Sequence, residues 1–526
     1  MRKINKSLIL ATSIFGVIAC SSSSDDNTPA PSDDNTPAPS DDNTPAPLTA
    51  YEEAAQVVSN LPQAAQDALA LTPDVYEFSR DGVSTVSYPG QIFRQVLIED
   101  LKTATGKQGR GLYAGSAEDF KAIIDSYVSY SYDNASEVEG VISGASEFLV
   151  KAKDFDGNAL AITEGTLYQD LQDPGKNLSS KLAGVDNPLL TDGMLGWSLD
   201  NLGNAGQNPI SLDGDANGKF EPSDYVAILS ETFAYGSMNA TAFQITNGTN
   251  AAQTISLAAL TPEGHDIAQL MQKFFHSAVS FSQATGDYLS VDLGDTKGLN
   301  ADNTEVAKAG VTYTALEHHW DEAFGYFGAA RDYLAYTDDQ IASKGSIDTN
   351  GDGSIALLSE KNFGMSVNAA KRDLGSTTGL NLSEAIMTNF LKGRQLIALK
   401  PEGYMDGVKA LAKMIAIDWE KVMAANTIHY INKTISEGNE YGTEDYLYTD
   451  HSKFWSEMKG FAFAFQFSPY SPMSAEQFST FHNLIADKAI IPSDAEALAT
   501  YHESLLAARK LLMETYNFDE ADVANW

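Results

Sequence analysis

The sequence holds one cysteine in 526 residues, and that residue, Cys20, lies near the amino terminus. A disulfide framework needs cysteine pairs and a cysteine zinc site needs three or four thiols, so both are excluded. Cations are scarce: 34 Lys and Arg stand against 71 Asp and Glu, a formal charge of −37. Nucleic-acid binding relies on Lys and Arg displacing counterions from phosphates, so this balance argues against a nucleic-acid partner. Charge-driven docking on anionic lipid falls on the same grounds. No Gly-rich phosphate loop, Gly-x-Ser-x-Gly elbow or cysteine nucleophile occurs. What the chain does hold is 43% apolar and 10% aromatic residues, enough for a substantial core. Its length admits two to four domains or one large helical unit.

The amino terminus opens with Arg2, Lys3 and Lys6, followed by a mostly apolar run from Leu8 to Ile18. That run is shorter than the roughly 20 residues that cross a bilayer, so it is expected to be a secretion signal covering residues 1–19. It closes on Val17-Ile18-Ala19-Cys20, which resembles the lipobox of bacterial lipoproteins, where cleavage leaves the cysteine to be acylated. Ser21 follows in place of the aspartate that favours inner-membrane retention. The resemblance therefore implies an outer-membrane lipoprotein, facing the periplasm or the exterior, held by lipid on Cys20.

Three copies of Ser-Asp-Asp-Asn-Thr-Pro-Ala-Pro begin at Ser24, Ser32 and Ser40. With two negative charges, two prolines and no large apolar group apiece, they predict an extended spacer within residues 20–47. Removing the three cations of the signal takes the charge from −37 to −40, of which six spacer aspartates leave −34 on residues 48–526. Bound divalent cations are a reasonable expectation for a body so charged.

Residues 48–526 are expected to form a mainly α domain of antiparallel helical bundles, as one unit or two halves. Tyr51, Ala54, Val57 and Val58 share a helical face before Pro62 interrupts. Asp81-Gly82 lies between two aromatic and β-branched runs, which predicts a hairpin over Val75 to Tyr88. Helices are expected over 90–104 and 116–131, the second opened by a capping box at Ser116. A second hairpin is expected over 239–258, around Asn247-Gly248. From Gly264 the period is helical, with stripes such as Ile267, Met271, Phe274, Phe275 and Val279, or Leu316, Trp320, Ala323 and Phe327. The run Phe461-Ala-Phe463-Ala-Phe465-Gln-Phe467 is expected in the core.

Two loops have calcium-ligand spacing. Asp213, Asp215, Asn217, Lys219 and Asp224 occupy positions 1, 3, 5, 7 and 12 of an EF-hand-like loop, with Gly218 at the sharp turn. Asp348, Asn350, Asp352 and Ser354 repeat the opening, with Glu360 arriving one residue late. Asp154-Phe-Asp156-Gly-Asn158 is a third, incomplete cluster. Transition-metal ligands are sought among eight histidines. His318, His319 and Glu322 fall within one helical turn of each other, each His–Glu pair offering nitrogen and oxygen. His451 and Glu457 are the expected auxiliary ligands.

The Tyr88-Pro-Gly-Gln91 opening, the block from His319 to Gly328 and the block from His451 to Phe461 resemble a family of uncharacterised bacterial lipoproteins. That family is in turn similar to imelysin-like proteins, whose helical bundles carry Gly-x-His-x-x-Glu and are associated with iron-regulated surface proteins and a metallopeptidase activity. His319 and Glu322 match its His-x-x-Glu portion, whereas Glu317 stands where the motif has glycine. The leading expectation is a non-enzymatic, metal-linked binding lipoprotein of imelysin-like fold serving iron acquisition, with iron or zinc at His319 and Glu322. The alternatives are a metallopeptidase in which Glu322 polarises metal-bound water, and a calcium-stabilised module that binds an envelope protein.

Overall fold

The computed structural model describes residues 48–131, 147–172, 174–197, 219–246, 252–490 and 495–526. The signal, Cys20, the octapeptide spacer and the Asn247-Gly248 turn lie outside the described residues.

Local chemistry explains where the helices begin. Helix α1 (Ala50–Ser59) starts at Thr49, whose hydroxyl accepts from Glu52 N while the Glu52 carboxylate accepts from Thr49 N, a reciprocal cap. Pro62, which has no amide hydrogen to donate, separates it from α2 (Gln63–Leu69). Strands β1 (Ser79–Arg80) and β2 (Val83–Ser84) pair antiparallel around Asp81 and Gly82, both at positive φ, as the turn dipeptide predicts. Helix α3 (Pro89–Lys107) takes proline at its first turn and is buried on nearly every face from Gly90 to Leu101. The Ser116–Asp119 cap opens α4 (Ala117–Val128).

Next come β3 (Ala152–Lys153), β4 (Ala159–Ile162), the single turn α5 (Tyr168–Leu171) and α6 (Pro222–Met238). The second hairpin forms as β5 (Phe243–Thr246) against β6 (Ala252–Ile255). Helix α7 (Ile267–Phe275) runs on without a break into two π-helical stretches, His276–Phe281 and Ala284–Tyr288. Then follow α8 (Ala315–Phe327), α9 (Asp338–Ala342), β7 (Ser354–Ile355), α10 (Gly364–Leu374), α11 (Leu382–Leu399), α12 (Tyr404–Asn439), α13 (Tyr448–Ala462), α14 (Ala475–Ile485), α15 (Ala495–Tyr516) and α16 (Glu520–Asn525). The fold is mainly helical with small sheets, and Leu48–Trp526 forms one compact unit.

The 36 residues of α12 make a rod about 54 Å long, and α11 and α13 pack along it. The link from Leu399 to Tyr404 is short enough to make α11 and α12 antiparallel neighbours. Trp320, Trp419 and Trp455 are fully buried, and the Phe461–Phe467 run lies in the core as expected. At Gly393 a side chain would have no room, because a Cβ there would stand 2.0 Å from the Trp320 ring.

Sequence periodicity did not disclose one element. Strand β4 pairs antiparallel with β3 and parallel with β7, joining Ala161 to Ser354 and Ile162 to Ile355, nearly two hundred positions away. Pairings of two residues carry no legible alternation.

Burial, more than pairing, sets the acids of the core. Glu420 on α12 accepts from Ser471 and from the Tyr516 hydroxyl at 2.7 Å. Loss of water nevertheless dominates these bonds and pushes its carboxyl up to about 7. A raised folded pKa gives stability that is fully present below the unfolded value of about 4.5 and lost as pH rises through about 7. Glu420→Gln is therefore expected to remove on the order of 3 kcal/mol of the decline in unfolding free energy between pH 5 and pH 8. Urea denaturation at the two pH values checks it; an unchanged decline in the variant contradicts this account.

Candidate functional site

Helix α8 carries the histidine–acid block, and Thr314 with Glu317 caps its first turn reciprocally. Gly328 ends it in the left-handed conformation. Its inward side holds Trp320, Asp321, Phe324 and Phe327. Asp321 Oδ1 accepts from Arg394 Nε at 2.9 Å and from the Tyr76 hydroxyl at 2.9 Å, while Oδ2 accepts from Ser87 N at 3.1 Å. Glu317 accepts from Arg394 Nη1 at 3.2 Å and from Arg80 Nη2 at 3.0 Å. Arg394 Nη2 completes the set by donating to Thr85 Oγ1 at 2.8 Å. One buried guanidinium thus fastens the β1–β2 hairpin and the lead into α3 onto α8.

Backbone carbonyls meet both histidines, one from that junction and one from the Gly298–Asn300 turn. His318 Nδ1 lies 2.9 Å from Ser87 O and its ring stacks on Tyr313 at 4.5 Å. His319 Nδ1 lies 2.9 Å from Gly298 O. A carbonyl only accepts, so these contacts assign the proton to Nδ1 in each neutral ring and leave Nε2 with its lone pair. His318 Nε2 is 3.7 Å from Glu322 Oε1, which also accepts from Gln91 Nε2 at 2.8 Å. The Glu322 and His318 side chains are part-exposed, so solvent reaches them. The sequence did not single out Gln91 for a role, although it lies in the Tyr-Pro-Gly-Gln segment.

The expected auxiliary ligands lie elsewhere and have other partners. His451 on α13 is buried, with Nδ1 3.0 Å from the Tyr446 hydroxyl, and burial drives its pKa down to about 4. Glu457 pairs with Lys273 at 3.0 Å. Among the described residues no group of three or more His, Cys, Asp or Glu is arranged to hold a metal ion. The five-residue constellation of His318, His319, Glu322, His451 and Glu457 is therefore not assembled.

Of the first calcium-spaced loop, Asp213, Asp215 and Asn217 lie outside the described residues. Lys219 pairs with Asp192 at 2.6 Å, and Asp224 caps α6 by accepting from Glu221 N at 2.8 Å. The second loop is described throughout. Asp348 Oδ1 accepts from Gly351 N at 2.7 Å and Oδ2 from Gly353 N at 2.8 Å. Asn350 Oδ1 accepts from Asp352 N at 2.8 Å, and Asp352 Oδ1 from Ser354 N at 2.8 Å. Gly351 and Gly353 take positive φ, which turns the chain around these oxygens.

A turn in which Ser359 N and Glu360 N both donate to Ala356 O compensates for the late carboxylate. It returns Glu360 to the loop, where Oε1 accepts from Thr349 N at 2.9 Å and Oε2 from Ala356 N at 2.8 Å. The third cluster closes the β3–β4 hairpin, with Asp154 accepting from Asn158 N and Nδ2, both at 2.8 Å. Glu164, just past β4, accepts from Leu357 N and Leu358 N. Sequence reasoning missed Glu164, whose only local mark is its place after the Asp154–Asn158 turn.

Residues 224–483 match a family described as a domain of unknown function (DUF4856). The matched stretch contains α8, the Asp348–Glu360 loop and α13, and it fits a resemblance to an uncharacterised family. No curated protein and no solved structure matches the chain.

Removing the guanidinium would leave Asp321 with two neutral donors and Glu317 with Arg80 alone among its cations. Arg394→Leu is expected to lower unfolding stability by about 3–5 kcal/mol, the cost of breaking a buried pair. Chemical denaturation at neutral pH measures it; a loss below about 1 kcal/mol would show that Arg394 does not hold this junction.

Proposed function

We propose that this chain is a lipid-anchored envelope protein of helical fold, whose body binds calcium at Asp348–Glu360 and acts as a calcium-stabilised interaction module. The observation that supports the reading is that Asp348, Asn350, Asp352 and Glu360 all belong to one glycine-turned loop, where their oxygens accept backbone N–H groups, and that β4 and Glu164 clamp this loop. These donors are hard oxygens, the set that suits calcium and not zinc. The ion would add a fixed positive charge where acidic side chains crowd together in a strongly acidic chain. The anchor rests on the Val17–Cys20 segment and places the module at the outer membrane.

Thermal melts of the full-length chain test the reading. Calcium at a hundred times its Kd is expected to stabilise the fold by about 2.7 kcal/mol, chelation to reverse this, and Asp348→Ala to lose most of the gain. Indifference of the wild-type melt to calcium and chelator rejects it.

A transition metal at His318, His319 and Glu322 is the second reading, and one observation favours it. Both Nδ1 atoms are engaged by backbone carbonyls, the outer arrangement that orients metal-ligating histidines. The imelysin-like similarity and its link to iron belong to this reading, as does a metallopeptidase with Glu322 beside the metal. Cobalt(II) added to the chain is expected to develop a visible absorption band that His319→Ala abolishes; a spectrum that stays that of aqueous cobalt excludes the site.

A further inference from the structure

A small polar cavity of about 170 Å³ lies where α3, α7, α10, α12 and α13 meet. Four lysines line it: Lys102, Lys273, Lys344 and Lys371. That is an unusual gathering in a chain with twice as many acids as bases. Two carboxylates share the lining, Glu99 and Glu457, so the groups present sum to a charge of +2. Lys273 is held between Glu457 Oε1 at 3.0 Å and Gln272 Oε1 at 2.6 Å, and Lys344 approaches Glu99 at 3.7 Å. The Lys102 and Lys371 ammonium groups make no hydrogen bond or ion pair among the described residues.

The floor of the cavity is His276, the residue at which α7 passes into its π-helical stretch, a distortion common at functional sites. Its ring is 2% exposed and its Nδ1 has no hydrogen-bond partner. Burial, reinforced by Lys273 and Lys344, lowers its pKa to about 3, so it enters as a neutral hydrogen-bonding group. Gly364, the first residue of α10, has φ +47, and a Cβ there would stand 2.9 Å from His276 Cε1. Glycine thus lets the amino-terminal end of α10 approach the imidazole closely. Burial, and then Lys344 and Lys273, pull Lys371 down to about 8. The four ammonium groups repel one another, and those of Lys102 and Lys371 have no ion-pair partner of their own.

We propose that this cavity binds free inorganic phosphate as hydrogen phosphate, with Lys102, Lys273, Lys344 and Lys371 facing its oxygens and Glu457 accepting a hydrogen bond from its P–OH. Size restricts the guest, since pockets for drug-sized ligands run from roughly 300 Å³ upward. The dianion balances the +2 of the lining. Glu457 Oε2 is buried without a hydrogen-bond partner, with the Tyr430 phenol facing the same carboxylate. A carboxylate oxygen repels an unprotonated oxyanion but accepts from P–OH. Sulfate, which has the same shape and no proton, is the discriminating competitor. The site differs from the calcium loop in its chemistry, because its donors are nitrogen groups and its ligand is an anion.

Titration calorimetry on the full-length chain in calcium-free buffer near pH 7.5 tests the assignment. Inorganic phosphate is expected to bind at one site, with sulfate at least about tenfold weaker. Methyl phosphate, whose dianion has no P–OH, is expected to bind as weakly as sulfate. Lys102→Met and Lys371→Met are each expected to weaken phosphate by about tenfold. Neither lysine has a partner in the fold, so the melting temperature in phosphate-free buffer should hold. Absence of phosphate binding to the wild type, or wild-type affinity in either folded lysine variant, overturns the site. Equal affinity for sulfate, or for the ester, overturns the role of Glu457 and the choice of free phosphate.

Discussion

Arg394 is the side chain on which the rest of the arrangement depends. It is fully buried, stacks over Phe78 and directs its N–H groups to Asp321, Glu317 and Thr85 at once. A buried guanidinium without partners costs several kcal/mol, so the seating of Arg394 from α11 is coupled to that of α8 and of the segment after the β1–β2 hairpin. The same closure brings the Ser87 carbonyl to His318 and Gln91 to Glu322. The surroundings of His318 and Glu322 are thus tied to ion pairing one layer deeper.

This use of a cation belongs to a wider pattern. The chain has few bases, yet several lie inside it. Lys459 is buried between Asp487 at 2.8 Å and the rings of Trp197 and Phe463. Lys273 is buried against Glu457. Asp100 and Glu420 have no such partner, and burial raises both to about 7; Asp418 has Lys421 at 3.6 Å, yet burial still raises it to about 6. Acids outnumber bases in the chain as a whole by 71 to 34, and mutual repulsion among the exposed ones favours bound cations. Against that background four lysines around one cavity are not explained by packing.

Features written in a few consecutive residues were legible in the sequence. The caps at Ser116, the Asp81-Gly82 turn and the apolar stripes of α7 and α8 each follow from local chemistry. The Asp348–Asp352 oxygens also fell where their spacing placed them, and Glu360 came back to the loop through a turn on Ala356. What could not be read was pairing at a distance. Nothing near Arg394 marks it as the partner of Asp321, 73 positions earlier. His451 and Glu457 stand two helical turns apart in a block like that of α8, yet one meets Tyr446 and the other Lys273. Similar composition in two helices suggested a shared site; the packing around each gave it different neighbours. The lysine cavity was hidden for the same reason, since its residues come from six separate stretches of chain.

Glu317 shows how one side chain can serve a helix start and a buried ion-pair cluster at once. Its carboxylate caps α8 through Thr314 N at 2.8 Å and binds both Arg394 and Arg80. A glycine at 317 would leave Arg394 with Asp321 as its one carboxylate and the first turn of α8 with only the Thr314 half of its reciprocal cap. The helix that carries His319 and Glu322 is therefore pinned at its start by the Glu317 carboxylate. A similar restraint operates at the calcium-spaced loop. Lys344, at φ +60, lies four residues before Asp348, and between them Ser346 N donates to Lys153 O and Ile347 N to the Tyr336 hydroxyl. Tyr336 in turn donates to Glu360 O. Whatever orders the Asp348–Glu360 loop thereby also fixes the backbone from which the Lys344 ammonium reaches the cavity.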